Sequence, residues 1–250
     1  MLPAEGSVRA AYAEAIAALA RRVLDTLRGV GGTAPLADFV DGAADPKAAL
    51  AAVRVVGADT LAPQALAGGA PHPRDTAILA QAAAVFPAPV HSPAPPEGSA
   101  ENWAVAWRDW ATARLLERHA DGGPEPHTPQ PAAGPALAPK GSWPSWNVLM
   151  AQLAPLSLPG VEGPVSEAAR RHPVSLARGV TRAMLRRDYP TAARLSRWAA
   201  ALHRDRVPLP IDPVPLVEHL GLHAGGGPRL ALDLAIARAL LGTDPGRTAG

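Results

Sequence analysis

The apolar residues of this chain are dominated by alanine, and aromatic residues make up only 4% of it. Alanine is the strongest helix former and adds little side-chain area, so a core built from it requires helices in close approach. A large sheet needs β-branched and aromatic side chains to cover its pleated faces, and these are sparse here. The expected fold class is therefore all-α, with little or no β structure.

Apolar spacing points the same way. Val8, Ala11, Tyr12, Ala15, Ile16, Leu19, Val23 and Leu27 recur at helical intervals, with Ser7 as a candidate cap and Gly29 as a stop. Asp45-Pro46 and Asp212-Pro213 each read as an N-cap followed by a proline in the first helical position. Those two helices are expected to close at Gly57 and Gly221. Others are expected over about 73–85, 100–119 behind Ser99, 145–153, 174–187, 190–205 and 228–241, with a single turn at Ser166.

Between the helices the chain is rich in breakers, with 23 glycines and 29 prolines and no repeat period to organise them. Residues 86–97 hold too many prolines for a helix. Residues 121–144 contain Pro124, Pro126, Pro129, Pro131, Pro135, Pro139 and Pro144, which reads as a polyproline-like linker or an exposed loop. The expected architecture is an irregular multi-helix bundle in two halves, 1–120 and 145–250, joined by that segment.

Several function classes find no support. Cysteine is absent, so disulfides, thiolate metal sites and cysteine nucleophiles are excluded. The formal charge of +2 is too mild to imply a polyanionic partner. No run of about eighteen apolar residues suits a membrane span, and Met1-Leu2-Pro3-Ala4-Glu5 lacks the basic start of a leader. The cytoplasm is the expected compartment, with no membrane partner. His203-Arg204-Asp205 resembles a kinase tripeptide without its downstream asparagine, and Gly225-Gly226-Gly227 lacks the lysine and preceding strand of a phosphate loop. No cofactor is expected.

Three features stand out. Trp103, Trp107 and Trp110 fall at i, i+4 and i+7 on one helix, either as bulky fillers of an alanine-rich core or as an aromatic anchor for a partner. Trp143 and Trp146, just past the proline-rich segment, are placed to dock with it. His219 and His223 are four apart, but Gly221 is expected to end the helix between them, so no metal site is expected.

The third feature is basic. Ten arginines lie between residues 168 and 206 against two aspartates, although the whole chain carries only +2. Arg178, Arg182 and Arg186 share a helix face, and Arg194, Arg197 and Arg204 avoid the apolar stripe of the next helix. Lysine occurs only at Lys47 and Lys140, so the preference for arginine follows codon composition as readily as phosphate binding. These faces fit an acidic protein surface, nucleic acid phosphates, or solvent alone. The expected function is a non-catalytic helical adaptor or scaffold that binds another protein. The alternatives are a nucleic-acid-binding accessory protein using residues 174–205, and a helical enzyme whose site leaves no local motif.

Overall fold

The computed structural model describes residues 5–88, 92–118, 128–139, 142–223 and 225–243. Among these residues there are helices and turns but no strand, as the alanine-rich composition requires. The first half contains α1 (Glu5–Leu27), α2 (Pro35–Asp41), α3 (Pro46–Val56), α4 (Ala62–Ala67), α5 (Pro73–Val85) and α6 (Ala100–Glu117), with a 3-10 turn at Gly57–Leu61. The second contains α7 (Trp143–Gln152), α8 (Pro164–Arg171), α9 (Pro173–Leu185), α10 (Tyr189–Arg204), α11 (Pro213–His223) and α12 (Pro228–Leu241). Short 3-10 turns at Pro135–Leu137 and Ala154–Ser157 flank α7. None of the described helices is long and apolar enough to cross a membrane.

Every helix except α1 and α6 carries a proline at its first or second position. The first N–H groups of a helix have no intrahelical acceptor, so proline forfeits nothing there and its fixed φ already suits the turn. Ten of the 29 prolines are thus helix starts rather than interruptions. Starts and stops differ from expectation in four places. Helix α1 begins before Ser7, and Ser142 rather than Ser145 caps α7, accepting the Ser145 N–H. Helix α8 extends from Pro164 over eight residues. Helix α11 continues through Gly221, where the Arg238 guanidinium occupies the place a Cβ would take.

The two short helices α2 and α4 were not foreseen, and α2 owes its start to a distant residue. Asp75, buried in the first turn of α5, accepts the N–H groups of Leu36 at 3.0 Å and Ala37 at 2.9 Å. Burial pushes its carboxyl above the usual range, although those two amides pull the other way. Asp75→Ala leaves both N–H groups orphaned and is expected to cost about 1–3 kcal/mol in urea unfolding. Asp75→Asn keeps an acceptor and should lose less; equal losses would show that the cap contributes nothing.

Residues from both halves join in one hydrophobic core. Helix α10 lies at its centre, packed against α7, α9, α11 and α12, while α12 also packs on α1. Consistent with this enclosure, Ala192, Ala193 and Leu195 through Leu202 are all buried, leaving α10 hardly any solvent face over that stretch.

The proline-rich segment is fastened to this core. Trp103 Nε1 donates to the Ala132 carbonyl at 3.0 Å, and Trp146 Nε1 donates to that of Leu137 at 3.0 Å. Leu137 itself is buried. Where described, the 121–144 segment is thus held against the shared core by these two bonds; residues 121–127, 140 and 141 lie outside the described residues.

Candidate functional site

The ten arginines of residues 168–206 separate into two groups. Arg170 and Arg204 both pair with Asp205, at 2.6 and 3.0 Å, and Arg171 pairs with Glu167 at 3.0 Å. Burial alone would raise the Asp205 carboxyl, but hydrogen bonds from Arg170 and Arg204 outweigh it and hold it below its usual value. Arg194 leans on Asp233 at 3.7 Å, and Arg197 is fully buried. Arg178, Arg182, Arg186, Arg187 and Arg206 are exposed and have no ion-pair partner among the described residues. The basic surface is smaller than the sequence suggested, and its regular part is the single row Arg178, Arg182, Arg186 along α9.

That row borders a groove of about 320 Å³ between α7, α9 and the start of α10. Arg182 and Arg186 stand at its edge, with Trp143 and Val148 of α7 and Leu195 of α10 among its apolar lining. The Arg182 guanidinium lies 5.7 Å from the centre of the Trp143 ring, a cation–π distance that orients the arginine without neutralising it. Val148 is 56% exposed and Leu185, at the end of α9, is 81% exposed.

Close helix approach makes the groove. Asn147 of α7 lies against Gly179 of α9, so near that a Cβ on Gly179 would fall 2.1 Å from its Oδ1. Its Nδ2 donates to the carbonyls of Trp143 and Ser175, at 2.9 and 3.0 Å, stitching the two helices together. Asp188 contributes the groove's acid, and it is engaged as the cap of α10, accepting the Thr191 N–H at 3.2 Å.

A second charged constellation lies inside the molecule. Arg197 forks onto Asp59 at 3.0 and 2.6 Å, reaches Asp233 at 2.8 Å and touches Ser157 Oγ at 3.4 Å. Arg229 also donates to Asp59 and lies 3.6 Å from Asp233. Burial by itself would raise the Asp59 carboxyl, but Arg197 and Arg229 reverse that and hold it below its ordinary value. The same burial works against Arg197 and Arg229, and the two carboxylates more than compensate, so both guanidiniums hold their protons more tightly than usual.

Two readings of candidate residues are corrected by this geometry. Arg197 does not face a partner, because its side chain is fully buried against Asp59, Ser157 and Asp233. Trp103, Trp107 and Trp110 do not form an aromatic anchor on the surface. They are 0%, 0% and 4% exposed and pack edge to face, with centroids 6.0 and 5.4 Å apart. Arg194 and Arg204 stay accessible but are tied to Asp233 and Asp205.

His219 and His223 do stack, at 4.1 Å between ring centres, because α11 continues past Gly221. Among the described residues no third acid or histidine completes a metal-binding group with them. Asp59, Asp233 and Arg229 escaped the sequence reading. Their signal was a lone acid or base inside an otherwise apolar segment, such as Asp233 in Leu232-Asp233-Leu234-Ala235-Ile236. Comparison with protein-family profiles, curated proteins and solved structures gives no match.

Proposed function

We propose that this protein is a non-catalytic interaction module that binds an acidic segment of another protein in the groove between α7, α9 and α10. The observation that carries the reading is the pairing of an apolar floor with two uncompensated arginines, Arg182 and Arg186, at its edge. An apolar side chain of the partner would fill the space beside Trp143, Val148 and Leu195, while its carboxylates meet the arginine row. Arg178 extends that row by one turn.

An acidic protein suits this surface better than nucleic acid does. Five of the ten arginines are paired or buried, so the polyanion-binding area reduces to one helix edge beside an apolar slot. Phosphate backbones reward long basic tracks, and they gain little from apolar grooves.

The test is a panel of synthetic peptides, graded in acidity and with or without a central apolar residue, titrated against the full chain. Acidic peptides with the apolar residue should bind best, and Arg182→Glu with Arg186→Glu should weaken them at least about tenfold. Binding that ignores peptide charge, or that survives the double reversal, would falsify the reading. A double-stranded oligonucleotide that binds more tightly than any peptide, with a steep salt slope, would put nucleic acid in its place.

A further inference from the structure

Beside the buried ion network lies a partly open pocket of about 190 Å³, lined by residues of α1, α3, α6, α7, α10, α12 and the Ala154–Ser157 turn. Its charged lining is Arg108, Arg194 and Arg229, and no carboxylate lines it. The rest of its wall is apolar apart from Gln152.

The charges around it do not balance. Arg54 and Asp109 neutralise one another through both carboxylate oxygens. Asp59 and Asp233 are then shared by Arg194, Arg197 and Arg229, one cation more than the acids can match. Arg108 has no ion-pair partner among the described residues, and its buried Nε has no hydrogen-bond acceptor. Two positive charges are therefore in excess, and the side chains that carry them are those lining the cavity. A buried guanidinium N–H without an acceptor is costly, and Arg108 is held below its ordinary pKa chiefly by burial, with Arg229 and Arg54 adding repulsion against the opposing attraction of Asp109 and Asp59. Forked guanidiniums match oxyanions in geometry as well as charge.

We infer that this cavity is a binding site for a small doubly charged oxyanion, phosphate or a phosphate monoester. Its volume is below the ~300–1,000 Å³ typical of larger organic ligands, which limits the ester to a short substituent. The anion meets the guanidiniums of Arg108, Arg194 and Arg229, neutralises the excess charge and links α6, α10 and α12. Asp59 and Asp233 position Arg229 and Arg194 rather than compete for the ligand, because Arg197 already engages both carboxylates from behind.

The test is thermal unfolding of the full chain with inorganic phosphate as the probe and methyl phosphate beside it. Sodium chloride at matched ionic strength is the control. At about ten times its dissociation constant, phosphate should raise the midpoint by about 3–6 °C, and chloride should not. Arg108→Met should abolish that rise while leaving the ligand-free midpoint unchanged or higher, since it removes a buried charge that lacks a partner. A purely structural arginine would lower it. Arg194→Gln, at a half-exposed position, should also remove the rise, and it decides the matter if the Arg108 variant fails to fold. Methyl phosphate binding more tightly than phosphate would identify an organic ester as the ligand; the reverse would identify the free ion. An equal rise in chloride, or a phosphate response that survives both substitutions, would overturn the proposal.

Discussion

Arg197→Met is expected to lower stability by about 3–5 kcal/mol near neutral pH, the range for breaking a buried ion pair from one side. The side chain is fully enclosed, so its loss leaves Asp59 and Asp233 without the cation that joins them. Arg229 retains its contacts with both acids, but the fork of Arg197 onto Asp59 and its bond to Asp233 are lost. Removing a third or more of a typical folding free energy puts the variant close to unfolding.

The pH dependence of that loss identifies its cause. In the native protein the Asp59 carboxyl lies below its unfolded value of 3.8, so its stabilising contribution is present above that value and fades as pH falls through the folded one. Without Arg197 the larger pull against burial is gone and Arg229 alone still opposes it, so the same carboxyl moves upward. The stabilising contribution then shrinks, and the variant's deficit is smallest in acid, where the Asp59 carboxyl takes up a proton. Urea titrations at about pH 7 and about pH 4 should show the deficit shrinking in acid. A deficit of constant size would mean that lost packing, and not stranded charge, is responsible.

How legible this was in the sequence depends on the range of the interactions involved. Helix α12 was readable to the residue, because Pro228 starts it and Gly242 ends it with a left-handed backbone. Helix α3 was equally plain, since the Asp45 side chain accepts the Ala48 N–H three residues on. Helix α2 was not, because its cap is Asp75, far along the chain. The same limit hid the ion network. Asp59 and Arg197 are separated by more than half of the sequence, and nothing local to either names the other as its partner. Arg182 and Arg186, by contrast, were legible as an exposed row, because a helix face follows from periodicity alone. The Trp143 ring beneath Arg182 was not, since it depends on how α7 meets α9.

Trp107→Ala is expected to cost about 3–5 kcal/mol, the range for emptying a large aromatic site in a packed interior. Trp107 is the middle member of the three-tryptophan seam and touches both others edge to face. An alanine-rich core has few bulky side chains to close over the space left behind, so the cavity should persist and place the loss high in that range. Trp107→Phe should lose much less than this. The Trp107 indole N–H has no acceptor, so phenylalanine also removes a buried donor that contributes nothing. Trp103→Phe should behave differently despite the same burial, because it leaves the Ala132 carbonyl without its donor and frees one fastening of the proline-rich segment. Comparing the two phenylalanine variants by urea unfolding separates volume from hydrogen bonding within a single seam. If Trp107→Ala instead folds with native stability, the seam is not the keystone of this core, and the tryptophans must be sought again as a surface that meets a partner.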